Sequence, residues 1–217
     1  ACAPYRRLHL CDYNLEKMGR TSTTKHDLLA EVCYAAKYEG NSINTHYTIH
    51  KHTNNDSAAE LCTVLARSFA DIGDIVRGKD LYLGYDDKEK KRREKLENNL
   101  KEIFKEIYDD VMKTSGKKKE EATKRYKDTT NFYELREDWW TANRGTIWEA
   151  ITCNAQGNTY FHATCGESRR PSQAQNQCRC PKTSGANAGK AGDNVSIVPT
   201  YFDYVPQYLR WFEEWAE

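Results

Sequence analysis

Eight cysteines in 217 residues constrain this chain more than any other feature of its sequence. An even number of cysteines at this density favours disulfide bonds and an oxidising compartment. None lies between residues 63 and 152, so they form two groups. We predict that all eight pair, within two cross-linked subdomains, 1–62 and 63–217, joined by a helical middle. The spacing does not assign the pairs among Cys2, Cys11, Cys33, Cys62, Cys153, Cys165, Cys178 and Cys180.

Apolar residues recur at helical spacing through most of the chain, which predicts a mostly α fold without strands. The clearest case runs from Leu96 to Met112, where the opposite face is charged. Gly40 and Gly78 are predicted to end two earlier helices, and the Ser57–Glu60 capping box to begin the second. We predict an irregular N-terminal arm, further helices over 131–153 and from about Val205, and polar loops over 41–55 and 154–198.

The segment PTYFDYVPQYLRWFEEWAE, residues 199–217, is dense in aromatic residues. Its apolar residues form a wide stripe at helical spacing, and such a stripe is more often part of a core than a ligand platform. We therefore predict that this segment anchors onto the central helices through the tryptophans at 139, 140 and 148.

No nucleophile, phosphate-loop or zinc-protease motif occurs in the sequence, so we predict no catalytic residues and no cofactor. The histidines of HYTIHKH, residues 46–52, fall in a polar stretch that we interpret as loop. One metal alternative remains open. His162, Cys165, Cys178 and Cys180 could form a zinc knuckle in an intracellular helical scaffold, although C-x-C is a tight spacing for zinc.

A formal net charge of +1 gives no overall attraction to nucleic acid or membranes, so an anionic partner would need a local patch. The run KEKKRREK, residues 88–95, is the strongest such patch. A solvated helix start explains most runs of this kind, but a sulfated polysaccharide is a plausible partner. The candidate glycan-binding residues are Lys88, Lys90, Lys91, Arg92, Arg93, Lys95, Lys117, Lys118, Lys119, Arg169 and Arg170.

Four segments resemble the Duffy-binding-like alpha domain of the erythrocyte membrane protein 1 variant adhesins of Plasmodium falciparum. They are CAPYRRLHLCDYNLE, ARSFADIGDIVRGKDLYLG, LREDWWTANRGTIWEAITC and DYVPQYLRWFEEWAE, in the family's order. The stretches between them carry no motif and look like the family's variable regions. The family's segment before Cys2 and its third helical subdomain are not in this sequence.

The resemblance implies a disulfide-stabilised helical fold, with an irregular N-terminal subdomain and a helical-bundle subdomain. It implies an extracellular adhesion domain on the surface of the infected erythrocyte and no enzyme. The implied partners are host receptors, namely heparan-sulfate-like glycans, blood-group sugars or complement receptor, with rosetting as the outcome. Antibodies and neighbouring domains of the same chain are further expected partners, and nucleic acid is not. No apolar run in this sequence is long enough to cross a bilayer.

Overall fold

The computed structural model describes residues 2–18, 25–54, 59–155, 162–165, 172–174, 176–181 and 197–216. Most of these residues are helical, which confirms the mostly α fold. The helices are α1 (Tyr5–Leu8), α2 (Tyr13–Lys17), α3 (Lys25–Asn54), α4 (Ala59–Arg77), α5 (Asp87–Met112), α6 (Lys117–Arg125), α7 (Tyr133–Ile151) and α8 (Gln207–Ala216), the last preceded by a 3₁₀ turn, Phe202–Tyr204. None of these helices is long and apolar enough to span a membrane.

The core lies where α3, α4 and α7 pack together. Phe69 of α4 contacts both Trp140 and Trp148 of α7, with ring centroids 5.0 Å apart in each pair. A short antiparallel sheet, β1 (Ala163–Cys165) with β2 (Ser172–Gln173), lies outside this core. The prediction of no strands is therefore wrong for these five residues, which lack the alternating apolar pattern that would have indicated them.

Helix α3 continues through residues 41–54, which the sequence analysis interpreted as loop. Gly40 does not end it. A Cβ atom at this position would overlap the carbonyl oxygen of Ile151, so the missing side chain lets α3 and α7 approach closely. Beyond it, Ile43 and Tyr47 pack on the core and give the polar stretch a reason to stay helical.

Two disulfides cross-link the described residues, Cys62–Cys178 and Cys165–Cys180. The first links residues 116 apart and connects the two cysteine groups, so the expectation of pairing within each group is wrong. In chain-entropy terms a loop of that size is worth about 5 kcal/mol of stability. Cys62 lies on α4, which crosses the predicted boundary between residues 62 and 63; the division into two subdomains itself stays a prediction.

The other four cysteines, Cys2, Cys11, Cys33 and Cys153, are free thiols, contrary to the prediction that all eight pair. Cys2 is exposed, whereas Cys11, Cys33 and Cys153 are partly buried. The backbone amide of Cys11 donates a hydrogen bond to Glu39. Burial, and to a smaller extent the negative charge of Glu39, raises the pKa of the Cys11 thiol to about 12. Burial also raises the pKa of Cys33 to about 11, and Cys153 lies beside Asn41. The two raised values disfavour the reactive thiolate at Cys11 and Cys33.

A buried network of arginines and carboxylates ties α7 to the segment before α8. Arg144 and Asp203 are both fully buried and lie 2.7 Å apart. Asp203 also accepts from the indole of Trp140 at 2.8 Å. Arg144 donates in addition to the carbonyl of Thr200. Because a buried charge is tolerated only when it is paired, the segments LREDWWTANRGTIWEAITC and DYVPQYLRWFEEWAE need each other.

The same network continues through α4, α1 and α8. Arg210 of α8 reaches Asp71 at 2.9 Å and also Asp74, both on α4. Arg6 of α1 reaches Asp71 at 2.8 Å, and Arg77 pairs with Asp74 at 2.8 Å. We define these groups, with Arg144 and Asp203, as the arginine–aspartate network. It brings together all four segments that carry the family resemblance.

This network decides which face of α8 is buried. Gln207, Arg210 and Trp211 point inward, while Tyr208, Leu209, Phe212 and Trp215 are exposed. The prediction that the aromatic stripe as a whole anchors the core is therefore wrong except at Trp211. The anchoring face is mainly polar because its partners are the carboxylates of α4, which a hydrophobicity pattern does not register.

We predict that mass spectrometry of the unfolded, unreduced chain after alkylation will show four alkylated thiols. Cross-linked peptides should identify Cys62–Cys178 and Cys165–Cys180, because only these pairs are bonded. A chain that takes up no alkylating agent would instead have four disulfides and would contradict the structure.

We predict that Arg144→Met lowers the free energy of unfolding by about 3–5 kcal/mol, because it leaves Asp203 buried without its guanidinium. The control is Arg125→Met. Arg125 is the exposed partner of Asp138, which lies on α7 as Arg144 does, and its loss should change stability little. Urea denaturation with the disulfides intact measures both. Equal losses in the two variants would show that burial does not set the cost.

We predict that Asp74 titrates in the folded protein with a pKa of about 6, against an ordinary value of 3.8, because burial outweighs the attraction of Arg210 and Arg77. For Asp71, burial is outweighed by Arg6 and Arg210, and its pKa is lowered. The Asp74 contribution to stability is therefore present below pH 3.8 and is lost as pH rises through about 6. Carbon-13 carboxyl shifts would contradict this assignment if Asp74 titrated together with Asp71.

Candidate functional site

The strongest basic run begins α5, as the sequence predicts. Asp86 caps the helix by accepting from the amide of Glu89 at 2.7 Å. Asp87 and Glu89 add negative charge to the first turn, which offsets the unfavourable effect of lysines at a helix N-terminus. The run therefore forms a stable helix although it is rich in cations.

Three lysines of this run share one exposed face. Lys88, Lys91 and Lys95 are all exposed. At 100° per residue they fall within an arc of about 60° and span about 10 Å along the axis. Within the described part of the chain none of the three forms an ion pair. We call these three residues the cationic face.

The two arginines of the run form ion pairs within the protein, although Arg92 keeps 42% of its side chain exposed, against 12% for Arg93. Arg93 pairs with Asp12 in the N-terminal arm and with Glu89 at 3.0 Å. Arg92 pairs with the buried Glu89, and Glu16 lies 4.0 Å from it. Arg93 is thus engaged within the fold, whereas the part that Arg92 plays in polyanion binding stays a prediction. The arginines dock α5 onto the arm and orient the lysines outward.

The pKa shifts show how strongly this docking is electrostatic. Burial alone would lower the pKa of Arg93, yet the hydrogen bond and charge of Asp12, with Glu89, raise it above its ordinary value. For Glu16, burial and the charge of Asp12 raise the pKa against the opposing pull of Arg93 and Arg92. Arg93 is therefore a fixed cation of the fold and is not available to an external ligand.

The remaining candidates are scattered. Lys90 is exposed on the side of α5 away from the cationic face. Lys117 and Lys119 are exposed on α6, which also carries Lys118. Arg169 and Arg170 lie outside the described residues. The structure thus groups three of the predicted glycan contacts on one face and does not bring the others to it.

The zinc alternative is overturned by the disulfides. Cys178 is bonded to Cys62 and Cys165 to Cys180, so three of the four proposed ligands have no thiolate to offer. His162 is left without the cysteine ligands of the knuckle. No metal-binding group of histidine, cysteine and carboxylate side chains occurs within the described ranges.

The sequence analysis missed a cleft on the other side of α5. It has a volume of about 470 Å³ and lies between α5, the start of α7 and the segment 78–83. We call it the α5 cleft. From the run LYLGY, residues 81–85, Tyr82 and the exposed Leu83 line it. The residues that give it its character are Ile75, Tyr82, Leu83, Leu96, Leu100 and Tyr133.

These features define a helical domain whose core is held by buried ion pairs and two disulfides and whose α5 helix displays lysines on the outside. The sequence pattern of the family described as Duffy binding domain matches residues 1–210. The chain therefore belongs to the Duffy binding domain family.

Similar known proteins support the same family assignment. The Duffy receptor beta form of Plasmodium knowlesi is 25% identical over 225 residues, which cover 99% of this chain and 14% of that protein. The NTS-DBL1α1 domain of Plasmodium falciparum membrane protein 1 from the varO strain is 42% identical with a TM-score of 0.74, covering 100% of this chain and 43% of that structure. This confirms the resemblance to the alpha class.

A second solved structure is the DBLβ domain of the P. falciparum variant IT4var13 bound to ICAM-1. It is 30% identical with a TM-score of 0.65, and the match covers 100% of this chain and 44% of that chain. This chain therefore spans less than half the length of each of these relatives.

Proposed function

We propose that this chain is an extracellular adhesion domain that binds host-cell receptors from the surface of the infected erythrocyte. Its membership of the Duffy binding domain family supports this, since the related DBLβ domain was solved with ICAM-1 bound. An adhesive domain needs a rigid interior and an exterior that offers contacts. The buried arginine–aspartate network and the outward lysines fit that requirement.

The observation that carries the proposed ligand class is the cationic face. Its three lysines have no ion-pair partner among the described residues, whereas the neighbouring Arg92 and Arg93 are neutralised by Asp12 and Glu89. Lysine ammonium groups act as point charges toward phosphate-like anions, and sulfate groups present the same chemistry. Heparan-sulfate-like glycans are therefore the receptor class we propose for this face, ahead of blood-group sugars or complement receptor.

The family resemblance extends the proposal to rosetting with uninfected cells and to antigenic variation. The segments without family motifs would then be targets of antibodies. Neighbouring domains of the longer protein would act together with this one at the cell surface. Since this chain covers 43% of the alpha-class structure, these roles concern the whole adhesin.

We predict that replacing Lys88, Lys91 and Lys95 with alanine weakens heparin binding roughly a hundredfold, by analogy with lysines at other anionic surfaces. The variant should elute from heparin at lower salt, because screening acts on exposed charges. The control replaces Lys37, Lys124 and Lys127, which changes net charge equally elsewhere on the surface. Equal elution of both variants would mean that overall charge, and not this face, determines retention.

A further inference from the structure

A second pocket opens between the N-terminal arm and the start of α5. It has a volume of about 410 Å³ and is lined by residues of α1, α2 and the first turns of α5, with Tyr85 among them. We call it the arm pocket. Pockets of this volume hold small ligands or a single side chain of a partner. Glu89 and Arg93, which line it, project from α5 about 100° and 140° away from Lys88, so the arm pocket and the cationic face lie on different sides of the helix.

The charges that line the arm pocket do not balance. Three carboxylates and two guanidinium groups line it, those of Asp12, Glu16, Glu89, Arg92 and Arg93. The two arginines are committed to two of the carboxylates, because Arg93 pairs with Asp12 and Glu89, and Arg92 pairs with Glu89. With His9 in its neutral form, three negative charges against two positive ones leave one negative charge over.

The unmatched carboxylate is that of Glu16. Its side chain is only 10% exposed, and the guanidinium groups of Arg93 and Arg92 lie 3.9 Å and 4.0 Å away, too far for a hydrogen bond. Its oxygens accept no hydrogen bond from the described residues, yet neither is among the unbonded atoms that are fully enclosed there, so both keep surface in the pocket. Burial and the charge of Asp12 raise the pKa of Glu16, as expected where negative charge is incompletely compensated.

The lining favours an organic cation over a metal ion. No group of three or more histidine, cysteine and carboxylate side chains within the described ranges is arranged to hold a metal. The rim is instead aromatic and apolar, since Tyr85 is 73% exposed and Leu8 38% exposed. Lys17 already lies 4.2 Å from the ring centroid of Tyr13, whereas no cation of the described residues lies over the ring of Tyr85. A cation with a flat face and N–H donors matches both the open ring and the unbonded carboxylate.

We propose that the arm pocket receives an arginine side chain of a protein partner, whose guanidinium donates to Glu16 and stacks on Tyr85. A guanidinium is planar, bonds carboxylates through several donors, stacks on aromatic faces and is more weakly hydrated than an ammonium, so arginine suits this pocket better than lysine. Its single positive charge balances the surplus negative charge of the lining. Arginine is also among the residues that dominate the binding energy of protein interfaces.

The test titrates the 217-residue chain with N-acetylargininamide and follows the carboxyl carbon of Glu16 and the ring of Tyr85 by NMR. Saturable shifts are expected at both. The bound probe should also move the titration of Glu16 to lower pH, because a nearby cation favours the ionised carboxylate. N-acetylcitrullinamide has the same shape without the charge and should cause no saturable shift. Equal responses to the two probes would overturn the proposal.

Variants locate the contact. Glu16→Gln should weaken binding of the arginine probe at least tenfold, because a hydrogen bond between charged groups is lost. The matched control is Glu106→Gln, which removes the same charge from an exposed position of α5 outside the pocket. Tyr85→Ala changes an exposed residue and should weaken binding about threefold through loss of the stacking contact. Equal effects of the two glutamine variants, or unchanged binding by Tyr85→Ala, would contradict the assigned geometry.

Three further probes test the nature of the occupant. N-acetyllysinamide should bind about threefold more weakly than the arginine probe, and tighter binding would overturn the choice of arginine. Calcium chloride should produce no saturable shift at Glu16, and saturation by calcium would show a metal site instead. A peptide with arginine between alanines should bind at least as tightly as the amide; weaker binding would overturn a polypeptide source.

The inference rests on the proposed adhesive function and adds a protein contact to its glycan contact. Its failure can be told apart from failure of the glycan proposal. The variant lacking Lys88, Lys91 and Lys95 should bind the arginine probe at least as tightly, because removing these cations lowers repulsion, and Tyr85→Ala should keep heparin retention. Loss of probe binding in the lysine variant would contradict this inference while leaving the heparin result unaffected.

Discussion

The arginine–aspartate network is the interaction on which the rest of the structure depends. Asp203, Asp71 and Asp74 bring negative charge into the interior, and each is held by at least one arginine from another part of the chain. Removing one member of such a network leaves a buried charge without compensation, which costs about 3–5 kcal/mol. Distant segments are therefore fixed relative to one another by specific pairing and not by hydrophobic burial alone.

This arrangement assigns the stability of the fold to the interior and leaves the surface free for contacts. The interior is specified by paired charges and by the Phe69–Trp140–Trp148 contacts, so the exterior can carry other functions without altering the fold. On α5 a single run of charged residues contains both kinds of side chain, those that stabilise the fold and those that face solvent. Arg93 binds inward to Asp12, and the lysines are left for solvent or a partner.

Periodicity predicted α5 and α7 well, because their apolar residues face the core at regular spacing. It failed for the second half of α3, which was predicted to be loop. For α8 it predicted the helix from about Val205 but not its buried face, which includes Gln207 and Arg210. Cysteine counting identified an oxidised chain but not the pairing, since the contact between Cys62 and Cys178 is made by the tertiary fold. The cationic face could be foreseen from its sequence, but the ion pairs that hold Arg92 and Arg93 could not, since Asp12 and Glu16 lie in a distant segment of the chain.

The first and last described residues lie side by side. The indole of Trp215 donates to the carbonyl of Cys2 at 3.0 Å, and Arg6 forms two hydrogen bonds with Glu214, at 3.0 Å and 2.8 Å. A pulling force between these positions would load this clasp before it reached the helices of the core. Under the proposed adhesive function, tension on the chain would be taken up first at this clasp, and the cationic face would keep its shape while the clasp opened.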